Sequence, residues 1–241
     1  MTDLNIFKQK KFWKALFLLA TFIIAFITIT NGYFFLLGNS TKTLAETEFA
    51  KLSVDKPSQL IDYGNEIIAT LPVVNKIYAE WIGATLFYYL LTTIIFALIY
   101  GNALSLLHKN KLFTKKEVIH FTLFSFFIIG IALFIIITTV LVTKPAFMPY
   151  APITTSIILS ISILLTGAAA VVKKPSVLDT IVNAIAGIPA FILPFVVSTI
   201  SVIIIANFVI RLPPVTGLPT FVALTLIWYT WLMHKAIKVS A

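Results

Sequence analysis

Six long apolar runs organise the chain, and charged residues are confined almost wholly to the stretches between them and to their ends. A membrane-spanning helix needs about 20 predominantly apolar residues. The runs predict spans at about 12–37, 80–107, 119–142, 152–172, 179–210 and 216–234. The expected fold is an all-α integral membrane protein, with residues 1–241 forming one polytopic domain. The first run, from "KQKKFWKALFLLATFIIAF" on through "ITITNGYFFLL", has a basic start but no small-residue cleavage site. It is too long for a signal-peptide core and reads as a retained span.

The one sizeable polar piece, 38–78, lies between the first and second spans. "TLAE" at 43–46 has the S/T-x-x-E spacing of a capping box, with Ala45, Phe49 and Leu52 on one helical face beyond it. A second short helix is expected after Ser58 as cap, punctuated by Pro57 and Pro72. These predict two amphipathic helices on the outer membrane face, or a recognition surface. Asn39-Ser40-Thr41 matches the N-glycosylation tripeptide.

Composition strengthens the membrane reading. The chain is 59% hydrophobic and only 11% charged, against about a quarter charged in soluble domains. The net charge of +9 would point to nucleic acid in a soluble protein. Here the lysines fall between apolar runs, which argues for topology and against a nucleic-acid partner. With the N-terminus in the cytoplasm, the inner segments hold Lys8, Lys10, Lys11, Lys14, Lys109, Lys111, Lys115, Lys116, Lys173, Lys174, Lys235 and Lys238. The outer ones hold Lys42, Lys51, Lys56, Lys76, Lys144 and Arg211. Both termini are therefore expected inside. The Ile, Phe and Lys usage is compatible with a prokaryotic plasma membrane. There are no cysteines, so disulfides and thiolate chemistry are excluded.

Candidate chemistry is sparse. Ionisable residues inside a span would mark an ion path or proton relay, and the spans hold essentially none. Glu80, Arg211 and Asp179 sit at span ends, as do His108, His120 and His234, none at metal-ligand spacing. No H-E-x-x-H or G-x-S-x-G occurs. No catalytic residue, metal or cofactor is expected.

The fifth run is the most informative. "GIPAFILP" at 187–194 puts two prolines in one span. Pro189 deprives the carbonyl of Ile185 of its helical donor, and Pro194 that of Ala190. Asn183, Gly187, Ala190, Pro194, Ser198 and Ser201 fall on one stripe of small and polar residues, with Phe191 and Phe195 mostly elsewhere. The stripe is expected to face the bundle interior, as tight packing around a kinked helix or as a polar cavity for a neutral or zwitterionic solute. Other spans offer partners: Thr21, Ala25, Thr28 and Gly32 share a face in the first and Thr85, Tyr89 and Thr92 in the second, while in the fourth Ser156 and Ser160 are four apart, as are Ser162 and Thr166, with Gly167 and Ala168 following.

The connection "HKNKLFTKKEVIH" is basic, with apolar residues interspersed. Its lysines suit anionic lipid on the inner face; alternatively Lys109, Lys111, Lys115 and Lys116 form a cytoplasmic docking segment. Six spans, a larger loop after the first and this basic second inner connection resemble the permease subunits of some small ABC exporters. They also resemble several uncharacterised bacterial and archaeal membrane families. The likeness is one of layout over the whole chain, with no specific motif. The functional expectation is a non-enzymatic multi-pass protein, a subunit of a larger membrane assembly with other protein subunits as partners. The alternative is a permease driven by a separate ATPase, with a polar cavity at the fifth span.

Overall fold

In hydrocarbon every backbone amide and carbonyl must be satisfied within the chain, and a helix does this locally. The computed structural model describes residues 6–46, 60–142, 151–173 and 176–241, and these are almost entirely helical. The helices are α1 (Lys10–Glu46), α2 (Leu60–Ile95), a π-helical turn (Phe96–Tyr100) running straight into α3 (Gly101–Lys109), α4 (Lys115–Val142), α5 (Ala151–Lys173), α6 (Val177–Val209) and α7 (Pro214–Ser240). Among the described residues, five helical segments are long and apolar enough to cross a membrane, and α5 adds a shorter apolar stretch at 157–173. The chain is a multi-pass, all-α membrane protein.

The region expected as an outer helical loop is different. α1 does not stop near 37 but continues to Glu46, so Thr43–Glu46 forms its last turn and opens no new helix. The S/T-x-x-E spacing is also an ordinary i, i+3 pair inside a helix. Nothing in "LLGNSTK" is strong enough to end helix propagation. Likewise α2 begins at Leu60 and passes through Pro72, which was expected to punctuate it. Phe49, Leu52, Pro57 and Ser58 lie outside the described residues.

The chain divides into two compact units: residues up to 23 with 93–241, and residues 24–92. The smaller unit is a pair of helical segments tied by side chains. Tyr33 stacks on Tyr88 with ring centres 4.6 Å apart. Tyr33 Oη lies 3.0 Å from Thr85 Oγ1, and Tyr88 Oη 3.1 Å from Thr30 Oγ1. Around these contacts Ile24, Phe34, Phe35, Ile82 and Phe87 are exposed.

The larger unit has a filled centre. Along α5, Leu164, Leu165, Thr166, Gly167, Ala168 and Ala169 are all buried, so at this level the helix is surrounded on every side. The same buried cluster includes Phe12 and Leu19 of α1, Tyr100 of the π turn, Leu104 of α3, Phe191 of α6 and Met233 of α7. The π turn inserts one residue into the ladder, with the Gly101 amide donating to the Phe96 carbonyl. The register of the following turns is thereby shifted. Tyr100 stacks on Phe96 at 4.3 Å and lies against Gly167, where even a Cβ would come within 2.9 Å of the ring.

Candidate functional site

The fifth-span stripe belongs to α6, which stays a single helix from Val177 to Val209 through both Pro189 and Pro194. Ser176 caps its start: the hydroxyl accepts from the Asp179 amide and donates to the Asp179 carboxylate at 2.6 Å. The inward face is made by Thr180, Ala184, Phe191, Phe195 and Ser198. The small-residue stripe is rotated off this face. Ser198 is buried, Asn183, Gly187 and Pro194 are half-buried, and Pro189, Ala190 and Ser201 are exposed. The aromatic residues expected to point away fill the centre, because the concave space beside α5 and α7 takes large rings. At Gly187 α7 comes close: a Cβ there would lie 3.1 Å from Val239.

Three of the stripe residues, Pro194, Ser198 and Ser201, line a groove of about 450 Å³ on the flank between α6 and α7. The groove continues past Phe221 and Thr225 to Trp228, Trp231 and Phe7. Its hydroxyls are spent within their own helices. Ser198 Oγ donates to the Phe195 carbonyl, Ser201 Oγ to Val197 and Thr225 Oγ1 to Phe221, at 2.8–2.9 Å. Such back-bonding hides the polarity of serine and threonine, so the surface offered is apolar. A comparable furrow of about 340 Å³ separates α4, α5 and α6 around Ile131, Ser162 and Ile188. The matching face of the first span is exposed at Thr21, Thr28 and Gly32, whereas Thr166, Gly167 and Ala168 of the fourth lie in the centre.

The basic connection is a tightly specified turn. α3 ends at Asn110, the one described non-glycine residue in the left-handed region (φ 57°), and its amide closes on the Leu106 carbonyl. Asn102 Oδ1 accepts from the Phe113 amide at 2.7 Å, and Ser105 Oγ donates to the Lys111 carbonyl at 2.8 Å. Thr114 and Glu117 then form a reciprocal capping box. The Glu117 carboxylate accepts from the Thr114 amide and hydroxyl, both at 2.9 Å, and the Thr114 hydroxyl accepts from the Glu117 amide. Lys109 Nζ donates to Glu117 at 3.1 Å. Of the four candidate docking lysines, Lys109 is therefore paired, while Lys111, Lys115 and Lys116 are exposed. Sequence reading passed over Asn102, Ser105, Thr114 and Glu117. The "TKKE" at 114–117 carried the signal, the same pattern that was read into 43–46.

The two ends of the chain that carry lysines each touch another helix of the larger unit. Lys11 Nζ donates to the Leu107 carbonyl at 2.9 Å, and the last turn of α7 reaches α5 through Ser240 and the Leu165 carbonyl at 3.5 Å. The other ionisable candidates stay apart. Glu80 and Arg211 are exposed, His108 and His234 are half-buried, and His120 lies at the rim of a groove beside α4. Among the described residues no three His, Asp or Glu side chains gather to hold a metal ion. The chain finds no match among protein-family models, curated proteins or solved structures, so any functional reading rests on this geometry.

Proposed function

We propose that this multi-pass protein is a non-enzymatic subunit of a larger membrane assembly. The observation that carries the reading is the pairing of a filled centre with an apolar groove on the α6–α7 flank. A solute pathway needs unspent polar groups along a continuous cavity. Here the hydroxyls of the fifth span are consumed by their own backbone, and the groove opens sideways, where a helix of another subunit can lie. The lysine-bearing helix ends are taken as cytoplasmic by the positive-inside rule, which puts the start of α1 and the end of α7 on that side. The permease alternative has one observation in its favour: the ordered basic turn at 108–117, which is suited to receive a soluble ATPase.

The test is a photo-crosslinking residue at Val197, which is exposed and lines the groove, with Leu178, exposed near the other end of α6, as control. The protein is then purified in mild detergent from host membranes. The reading expects a stoichiometric membrane protein crosslinked from Val197 and not from Leu178. A lone protein with no crosslink refutes it, and a co-purifying ATPase crosslinked from a further probe at the exposed Lys111 favours the permease.

A further inference from the structure

A second groove, of about 560 Å³, runs along α4 against α5 and the start of α6. Its volume is in the range of sites that hold small ligands. Its lining is graded. At one end are Lys109, Lys116, Glu117 and His120; then come Phe121 and Phe124 as floor, with Leu123 and Phe127 as exposed rim. The far wall is Ala170 and Val171 of α5 with Val177 and Thr180 of α6. From Lys116 to Phe127 the groove follows α4 for about 16 Å at roughly 1.5 Å per residue. One end thus lies at the polar turn and the other inside the apolar layer.

We infer that this groove binds one acidic phospholipid of the surrounding bilayer, its phosphate at Lys116 and His120 and an acyl chain along Phe121, Phe124 and Phe127. The charge balance supports an anion. Lys109 and Glu117 neutralise each other through their 3.1 Å contact, which leaves Lys116 as the unopposed charge of the lining and His120 as a second donor. Lys115 and Lys173 stand exposed at neighbouring helix ends. Asp179 is engaged by Ser176, so the α6 N-terminus is not counted as part of the headgroup site. The floor is fixed in advance: Phe121 packs between Phe113 and Phe124 at 5.4 and 6.1 Å, so the chain enters a formed slot at little ordering cost. Lysines that merely set topology need no such slot beneath them; this one continues their charge into a cleft shaped for a tail.

The full chain, delipidated in detergent, is offered equal phosphatidylglycerol and phosphatidylcholine, and retained lipid is counted by native mass spectrometry. The expected result is one phosphatidylglycerol retained several-fold over phosphatidylcholine. Lys116→Gln with His120→Gln should bring the two to parity, and Phe127→Ser should lower phosphatidylglycerol retention without touching charge. All three side chains are exposed, so the variants should keep the parent's melting temperature. A third arm adds inorganic phosphate. Millimolar phosphate that fails to displace the lipid supports the assignment, whereas displacement makes the site one for a free anion and overturns it. Equal retention of both lipids by the parent, or an unchanged preference in the Lys116/His120 variant, also overturns it.

Discussion

Gly101→Ala tests the packing beneath the basic turn. Gly101 opens α3 directly after the π turn, and a Cβ there would lie 2.6 Å from Cε2 of Phe113 and 2.8 Å from Cδ1 of Phe121. Carbon atoms prefer about 3.5–4.0 Å, so both rings must retreat by roughly 1 Å. Phe121 has little room: it is 5% exposed, with Phe96 and Phe124 at 6.5 and 6.1 Å on its other sides. Overpacking of this kind costs about 1–3 kcal/mol, while alanine regains about 1 kcal/mol over glycine in helix propensity. The net loss should be about 0–2 kcal/mol. Gly32→Ala provides the reference, because its Cβ meets nothing within 4 Å and gains propensity alone. Subtracting one variant from the other cancels propensity and leaves about 1–3 kcal/mol of overpacking. The assay is unfolding in mixed micelles titrated with dodecyl sulfate, followed by near-ultraviolet circular dichroism. If Gly101→Ala resists as well as Gly32→Ala, the rings yield freely and the contact between α3 and α4 is not the tight one described.

Replacing Pro189 and Pro194 together by alanine should leave the protein folded and at least as resistant to dodecyl sulfate, since α6 is already one helix and each alanine restores a backbone donor; loss of the folded form would show that the prolines organise the bundle. Gly217→Ala should be markedly harmful, because its Cβ would stand 2.9 Å from the Val209 backbone carbonyl, and carbonyls cannot rotate away as side chains do; an unchanged melting temperature would count against the tight α6–α7 turn. Thr114→Ala should cost about 1 kcal/mol as a lost cap, read as faster hydrogen exchange at the amides of 115–118, while Glu117→Gln should speed exchange less because its amide oxygen can still accept from Thr114.

The apolar runs made the helices readable, because in lipid a long apolar run has essentially one backbone solution. The facing of those helices was less readable. In water, polarity marks the outside; in lipid, both faces of α6 are apolar, and the small-residue stripe from Asn183 to Ser201 is the inward sign the pattern offers. Phe191 and Phe195 turn inward instead, since the shape of the space left by α5 and α7 decides, and that shape is not local. The capping boxes teach the same point. The pattern at 114–117 opens a helix because Asn110 in the left-handed region has just ended one, whereas the same spacing at 43–46 follows an unbroken helix. What precedes the motif carries the information.

The back-bonded hydroxyls bear on how the protein enters its membrane. Thr21, Thr28, Thr138, Thr139, Ser201 and Thr220 each donate to the carbonyl four residues earlier in the same helix, at 2.7–3.0 Å. Those bonds form as soon as the helix does, before any neighbour arrives. A hydropathy count charges each residue as polar, yet a nascent helix presents them to lipid already satisfied, so single helices can partition from the insertion machinery one at a time. Thr30 and Thr85 are different, because their partners Tyr88 and Tyr33 come from the other helical segment. For that pair, leaving the translocation channel and finding the partner are one event, and α1 should be held back until α2 has been made.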